Sequence, residues 1–376
     1  MEAATNTRTY DFAEILTRMS EERASDVHLS PGFPPAIRVR GKITPLDEYG
    51  ELSPQATRDT VYSLLNDDQR KRFESNKQLD LAYAVPGVAR FRVNCFFQRG
   101  SISAAFRRIP HQIPRLDELG LPPVLEELTN KPRGLILVTG PTGSGKSTTL
   151  AAMLDIINEE REEHILTIED PIEFLHQHKR CLVNQREIGA DAEDFPLALK
   201  SALREDPDVI LVGEMRDLET ISTALTAAET GHLVFATLHT QSTAQTVDRI
   251  IDIFPATQQA QVRMQLSIAL QGIVTQQLLP TLDGAGRVVA TEVLIPTPAV
   301  RNLIREGKTH QIYSAIQTSG SIGMQTMDAH LAQLVRMGRI SRQLAEQRAS
   351  VPEELKRLLG PATGNGAAAS PVATGG

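Results

Sequence analysis

The stretch LILVTGPTGSGKSTTLAAM, residues 135 to 153, constrains the fold more than any other part of this sequence. Its segment from Gly140 to Ser147 fits the pattern G-x-x-x-x-G-K-[ST], follows a strand-like run and precedes a helix-like one. Glycines allow a tight turn whose backbone N–H groups point at phosphate oxygens, and the positive end of the helix dipole adds to the attraction. Lys146 would neutralise the β- and γ-phosphates, and the Ser147 hydroxyl would join a Mg²⁺ shell. The sequence therefore predicts a P-loop for ATP and Mg²⁺, built from Gly140, Pro141, Thr142, Gly143, Ser144, Gly145, Lys146, Ser147 and Thr148.

Short apolar segments alternate with longer helical stretches from Gly134 onward. The apolar segments are GLILVTG, HILTIED, DVILVGE and HLVFATL. This alternation is typical of a parallel sheet with crossover helices. The sequence therefore predicts an α/β fold with a mainly parallel sheet around the P-loop.

The chain before residue 110 follows a period of two instead. The segment VARFRVNCFFQRG alternates apolar residues on one face, Phe91, Val93, Cys95 and Phe97, with polar ones on the other, Arg90, Arg92 and Asn94. In PPAIRVRGKITPL the same period places Ile37, Val39 and Ile43 on one face. With an amphipathic helix near residues 11–20, this pattern predicts a small antiparallel sheet with a helix or two.

These changes of pattern divide the chain into five predicted segments. They are an N-terminal domain at 1–115, a proline-punctuated linker at 116–133, an ATPase core at 134–295, a helical C-terminal part at 296–359 and a tail at 360–376. The tail is rich in Gly and Ala and has little apolar area to bury, so we expect it to be disordered.

Acidic residues follow two of the predicted strands, at the edge where parallel sheets bind ligands. Glu214 ends DVILVGE, and Gly213 stands where many P-loop enzymes have an aspartate, so Glu214 alone would serve the Mg²⁺ shell, through a water. The segment TIEDPIEF gathers Glu169, Asp170 and Glu173, one of which would take the proton of the attacking water. A helix N-terminus carrying favourable acids is the alternative interpretation of this group.

Two histidines flank the last of the predicted strands. His232 precedes and His239 follows the apolar run of GHLVFATLHT, and both are candidate catalytic residues. A histidine near a strand is more often structural than functional, so spacing alone leaves both interpretations open.

Composition disfavours several other classes of protein. A net charge of −7, no Trp and only 4% aromatic residues argue against a nucleic-acid-binding surface. Two distant cysteines cannot form a four-thiolate zinc ribbon and favour a reduced, cytosolic setting. The N-terminus does not have the pattern of a secretory signal, and the apolar runs are far shorter than the ~20 residues that span a bilayer. We therefore expect a soluble protein that does not insert into a membrane.

Four motifs in order make the chain from about residue 10 to 355 closely resemble the secretion ATPase superfamily, which powers type IV pili and type II secretion. They are the Walker A loop, the acidic TIEDPIE, the atypical Walker B segment DPDVILVGEMRD and the histidine segment TGHLVFATLHT. The resemblance implies a PAS-like N-terminal α+β domain, a RecA-like ATPase domain and a hexameric ring. It also implies that Glu173 is the general base, that Glu214 is the Walker B acid, and that Arg92 and Arg107 reach the phosphates.

Within the superfamily the chain is most similar to the pilus retraction ATPases. The segment PAVRNLIREGKTHQI matches their AIRNLIRE motif except at one position, and the matching residues are Ala299, Val300, Arg301, Asn302, Leu303, Ile304, Arg305 and Glu306. Thr297 would cap a helix starting at Pro298, with Val300, Leu303 and Ile304 as its apolar stripe and Arg301, Asn302 and Arg305 facing away. The resemblance implies a motor at the cytoplasmic face of the inner membrane that retracts type IV pili for twitching motility or related functions. Its partners would be an inner-membrane pilus platform protein and, for some systems, an accessory retraction ATPase.

Other functions stay open at this point. The chain also fits an accessory retraction ATPase or, less well, a pilus-extension or type II secretion motor, because those relatives usually carry an extra N-terminal domain and many carry a tetracysteine metal site. A non-hydrolysing nucleotide-gated scaffold would not need Lys146, Glu173 and Glu214 together. A RecA-type nucleic-acid motor is disfavoured by charge and aromatic content.

Overall fold

A computed structural model describes residues 11–22, 24–39, 41–85, 89–109, 112–284 and 286–360. The predicted tail, from residue 361 onward, lies outside these ranges. The chain forms two compact units. The first holds the described part of Met1–Ile113 together with Glu169–Gln177 and Arg186–Glu193, and the second holds Pro114–Ile168, His178–Gln185 and the described part of Asp194–Gly376.

The first unit is a six-stranded antiparallel sheet with three helices. The sheet order is β3-β2-β1-β6-β5-β4. The elements are α1 (Phe12–Glu21), β1 (Asp26–Leu29), β2 (Ala36–Val39), β3 (Lys42–Pro45), α2 (Pro54–Leu64), α3 (Asp67–Asn76), β4 (Gln78–Val85), β5 (Ala89–Gln98) and β6 (Ser101–Ile109). This confirms the small antiparallel sheet, while its PAS-like character stays a prediction.

The apolar face of this sheet forms the core of the first unit. Phe91, Val93 and Cys95 of β5 are fully buried, as the period of two predicts. The prediction for Ile43 is wrong, because its side chain is 44% exposed. The chain turns back at Gly41, where φ is +83°, so Ile43 belongs to a separate edge strand, β3, instead of continuing β2.

The second unit is built around a seven-stranded sheet of order β13-β12-β7-β11-β10-β8-β9. Its strands are β7 (Gly134–Thr139), β8 (His164–Glu169), β9 (Leu182–Glu187), β10 (Val209–Val212), β11 (Leu233–Leu238), β12 (Leu270–Pro280) and β13 (Arg287–Leu294). Its helices are α4 (Val124–Thr129), α5 (Lys146–Glu160), α6 (Phe195–Ala202), α7 (Leu218–Thr230), α8 (Thr243–Asp252), α9 (Ala256–Ala269), α10 (Pro298–Arg305), α11 (Ile312–Gln317), α12 (Met327–Arg336), α13 (Arg342–Arg348) and α14 (Pro352–Leu359).

The four predicted strands of this sheet are confirmed as β7, β8, β10 and β11, and they pair in parallel. All residues of β7, β10 and β11 are buried, which explains their almost entirely apolar sequences. β12 adds a fifth parallel strand beside β7, and β13 pairs with β12 antiparallel. Because β7, β11 and β10 are neighbours and run in one direction, the segments that follow them emerge at the same edge of the sheet.

The segment predicted as a linker is partly a core element. Residues 116–133 include α4, whose Leu125 and Leu128 are buried with β7 and α5 in the core of the second unit. The prolines that indicate a linker lie just before this short helix, at residues 122 and 123. The first continuous part of unit one ends at Ile113, and α4 belongs to the second unit.

Candidate functional site

The P-loop connects β7 to α5, as the sequence predicts. Gly140 has φ of +137°, and Gly145, which directly precedes α5, has φ of +91°. Both angles lie in the region that glycine adopts without steric cost. The glycines therefore let the chain turn from a fully buried strand into a helix whose N-terminus is open to an anion.

Lys146 is the first residue of α5 and lies against the loop itself. Its side chain is 9% exposed, and its Nζ donates hydrogen bonds to the carbonyl oxygens of Gly140 at 2.9 Å and Pro141 at 3.3 Å. Ser144 is 2% exposed, and its Oγ makes no hydrogen bond with the part of the chain that the structure describes. A buried hydroxyl in a loop of this kind fits a polar ligand such as phosphate.

Glu214 lies at the same edge of the sheet, beyond the end of β10. Its carboxylate pairs with Arg216 at 2.6 Å and with Nε2 of His239, which follows β11, at 3.1 Å. The chain here is held to β11, because Met215 N–H donates to Thr237 O and the Thr237 hydroxyl donates to Gly213 O. Burial raises the pKa of Glu214, but the hydrogen bond from Arg216 and the charge of His239 outweigh it and lower the pKa. Glu214 is therefore an ionised carboxylate at neutral pH.

The two candidate histidines lie at opposite ends of β11. His239 joins Glu214, whereas His232 precedes the strand and contacts the carbonyl oxygen of Ala227 through Nδ1, at 3.0 Å. A six-residue strand spans about 20 Å, so within this chain His232 is not near the P-loop edge. His232 therefore lies at the C-terminal end of α7, and its catalytic role stays a prediction.

A cavity of about 430 Å³ lies beside the start of α5. Leu119, Leu121, Leu278 and Val289 supply its apolar wall, and Ser144 and Gly145 of the loop border it. Apolar walls next to a phosphate-binding loop suit a flat heterocyclic base. The sequence motifs did not indicate these residues, because they come from the segment before α4 and from β12 and β13, which carry no recognisable signature.

The acidic segment belongs to the first compact unit, although β8, which it follows, is a strand of the second unit's sheet. A hydrogen bond links segments 169–177 and 186–193, in which the carboxylate of Glu187 accepts from Ile172 N–H at 3.2 Å. The same carboxylate pairs with Arg90 of β5 at 3.2 Å. Glu173 and Asp170 are exposed, and Glu169 is half-buried. The role of Glu173 as general base stays a prediction.

Arg92 and Arg107 lie directly opposite each other on β5 and β6. Both side chains are exposed on the polar face of the sheet, which confirms the face predicted for Arg92. Two like charges at directly opposite positions repel each other. Arg107 also pairs with Asp26 of β1 at 2.9 Å. Burial raises the pKa of Asp26, but hydrogen bonds from Ser25 and Arg107 more than offset this and leave it lowered.

The retraction-motif segment forms α10 as predicted, with one correction. Val300 N–H donates to the Thr297 hydroxyl at 3.3 Å, and Pro298 occupies the first turn. Arg301 does not face away, because its Nη1 donates to the carbonyl oxygens of Ser267 and, at 2.9 Å, of Ile268. Arg301 therefore caps the C-terminal end of α9, where a positive charge is favourable. Burial lowers the pKa of its guanidinium.

Comparison with known proteins agrees with this site. The family model described as "Type II/IV secretion system protein" matches residues 9–344. The chain is 56% identical to the type IV pilus retraction ATPase PilT of Pseudomonas aeruginosa, over 91% of this chain and 99% of that one. It is 44% identical to the type IV pilus ATPase PilU of the same organism, over 93% and 91%. A crystal structure of the pilus retraction motor PilT with bound ADP superposes with a TM-score of 0.88, at 52% identity, over 93% of this chain and 99% of that one.

Proposed function

The chain belongs to the type II/IV secretion system protein family, and from that premise we propose that it is an ATP-hydrolysing motor that retracts type IV pili. One observation carries the proposal, namely the similarity along nearly the whole chain to a protein named a pilus retraction ATPase. The capped helix α10, with the sequence of the retraction motif, supports the same assignment.

In this proposal the P-loop edge of the second unit binds ATP. The loop N–H groups and Lys146 hold the phosphates, and the apolar cavity beside α5 takes the adenine. Glu214, fixed by Arg216 and His239, is the acid of the Walker B position. Glu173 takes the proton of the attacking water.

The residues at this edge also fit Mg²⁺. Mg²⁺ prefers hard oxygen ligands and keeps several waters, so the Ser147 hydroxyl and a water held by ionised Glu214 would complete a shell that includes phosphate oxygens. The metal would neutralise charge that develops on the phosphates during transfer. Lys146 neutralises the same charge from the protein side.

Arg92 and Arg107 provide the mechanical link in this proposal. The two positive side chains stand at directly opposite positions on β5 and β6. A bound phosphate would relieve their repulsion through charge-assisted hydrogen bonds. Loss of the γ-phosphate on hydrolysis weakens that clamp, so the first unit is released once in each cycle.

We further propose that six copies form a ring on the cytoplasmic face of the inner membrane. There the ring would act on a pilus platform protein and, where one is present, together with an accessory retraction ATPase. Within the described ranges, no helix is both long and apolar enough to cross a membrane. We propose that the platform protein recruits the ring.

Deleting the gene in its host tests the retraction function directly. We expect long surface pili that do not shorten, visible by labelling and live imaging, and restored shortening when the wild-type gene is returned. Absent pili would instead identify an extension motor. Retraction that continues at normal force and rate would identify an accessory role, which the similarity to PilU keeps as the second candidate.

Replacing Arg301 with alanine tests the role of α10. We expect pilus shortening to be lost while the dissociation constant for ADP stays within about twofold of wild type, because Arg301 caps α9 and lies in the retraction motif, outside the described nucleotide site. The lost cap should lower the free energy of unfolding by about 1–2 kcal/mol, which thermal denaturation measures.

Arg305→Ala is the matched control for stability. Arg305 lies one turn further along α10, is exposed and donates a long, 3.3 Å hydrogen bond to Asn302. Its replacement should change the free energy of unfolding by less than about 0.5 kcal/mol. Normal pilus shortening in the Arg301→Ala strain would contradict the assigned role of the motif.

A further inference from the structure

Gln276 is a buried polar residue on β12, beside the P-loop. Its side chain is 1% exposed, although it is neither charged nor part of any motif that the sequence indicates. β12 pairs in parallel with β7, and the last paired positions are Thr275 and Thr139. Gln276 therefore stands beside the point where β7 ends and the phosphate-binding loop begins.

The amide of Gln276 joins two parts of the loop structure. Its Nε2 donates a 2.7 Å hydrogen bond to the carbonyl oxygen of Ser144, within the loop. Its Oε1 accepts a 3.1 Å hydrogen bond from the hydroxyl of Thr149, in the first turn of α5. Both bonds are buried, so the loop and the helix are held at a fixed distance from β12.

The backbone of Gln276 also explains why loop position 140 is glycine, and its side chain lies close to Gly145. A Cβ on Gly140 would lie 2.2 Å from the carbonyl oxygen of Gln276, which no side chain can occupy. A Cβ on Gly145 would lie 3.2 Å from Gln276 Nε2. The strand residue thus forms the surface against which the glycine-rich loop is packed.

We infer that Gln276 is a positioning residue that sets the curvature of the phosphate-binding loop. The inference rests on the proposed ATPase function, because it concerns the geometry that the loop offers to phosphate. Glycines make the loop flexible, and its N–H groups stabilise phosphate only when they are held in one arrangement. The two buried hydrogen bonds of Gln276 supply that restraint from the neighbouring strand.

Gln276→Met tests this role, because methionine has a similar length and fills a similar space without an amide. We expect the dissociation constant for ADP, measured by calorimetry, to rise about tenfold or more, and kcat/KM for ATP to fall about 10–100-fold. Gln277→Met is the matched control, because side chains alternate along a strand and Gln277 points to the opposite face of the sheet. We expect the control to stay within about twofold of wild type.

Two further variants separate positioning from general packing. Thr149→Val removes one of the two hydrogen bonds, so the dissociation constant for ADP should rise about threefold, and Thr149→Ser, which keeps the hydroxyl, should restore most of that loss. If the Gln276→Met protein does not fold, this pair still decides the question.

A lower midpoint of thermal unfolding with unchanged ADP affinity would reduce Gln276 to a packing residue and overturn the inference. Absence of ATP turnover in the wild-type protein would overturn the proposed function instead. The ADP measurement separates the two cases because it does not need turnover.

Discussion

Replacing Lys146 with alanine is expected to lower the ATP turnover of the purified protein by at least about 10³-fold. Lys146 is the cation of the P-loop. Its buried ammonium donates hydrogen bonds to the carbonyl oxygens of Gly140 and Pro141, within the loop that would hold the phosphates. Alanine removes both the charge that the transition state needs and the hydrogen bonds that tie the helix start to the loop. Steady-state phosphate release, compared with wild type, measures the loss.

Lys200→Ala is the matched control for this change. Lys200 also lies on a helix of the second unit, but it is exposed and pairs with Glu219 at the surface. Exposed ion pairs contribute little, so turnover should stay within about twofold of wild type. Turnover of the Lys146→Ala protein above a tenth of the wild-type rate would show that the P-loop is not the hydrolysing site.

Strands that are almost entirely apolar were predictable from the sequence, and β12, which has two adjacent buried polar residues, was not. The β7 sequence GLILVT is apolar up to Thr139, because β12 and β11 flank the strand and helices cover it. The β12 sequence LQGIVTQQLLP contains Thr275 and Gln276, which read as exposed positions. Thr275 bonds to Thr139 at 2.7 Å and Gln276 bonds to the P-loop, so tertiary partners outside the segment make their burial possible.

In the candidate site, too, features set by neighbours in the sequence could be predicted, and features set by contacts with distant segments could not. The P-loop and the helix cap at Thr297 follow from neighbours in the sequence, and both formed as predicted. The helical period predicts Arg301 on the polar face of α10, but its guanidinium donates to carbonyl oxygens at the C-terminal end of α9. His232 and His239 flank one strand symmetrically, yet only the carboxyl end of that strand lies beside Glu214.

Replacing Glu173 with glutamine is expected to lower kcat for ATP hydrolysis by about 10²–10⁴-fold, with the dissociation constant for ADP within about threefold of wild type. Glutamine keeps the size of the side chain and its carbonyl oxygen, but an amide cannot take a proton from water at neutral pH. Because Glu173 is exposed in the first unit, the substitution should leave the midpoint of thermal unfolding within a few degrees of wild type, by a typical surface effect of about 0.5 kcal/mol or less.

Glu169→Gln and Asp170→Asn complete this experiment, because the sequence alone allows any of the three acids to be the base. Glu169 ends β8 and is half-buried, and Asp170, although exposed, borders a small cavity with Arg92 and Glu187, so each of the two could have a structural role instead. Neutralising a general base lowers kcat and leaves the affinity for nucleotide unchanged. Neutralising a structural acid lowers the stability of the protein or its affinity for nucleotide instead. We therefore expect only the Glu173 variant to lose kcat at constant affinity. If the Glu169 or Asp170 variant instead loses kcat at constant affinity while the Glu173→Gln protein stays active, that neighbouring acid is the general base.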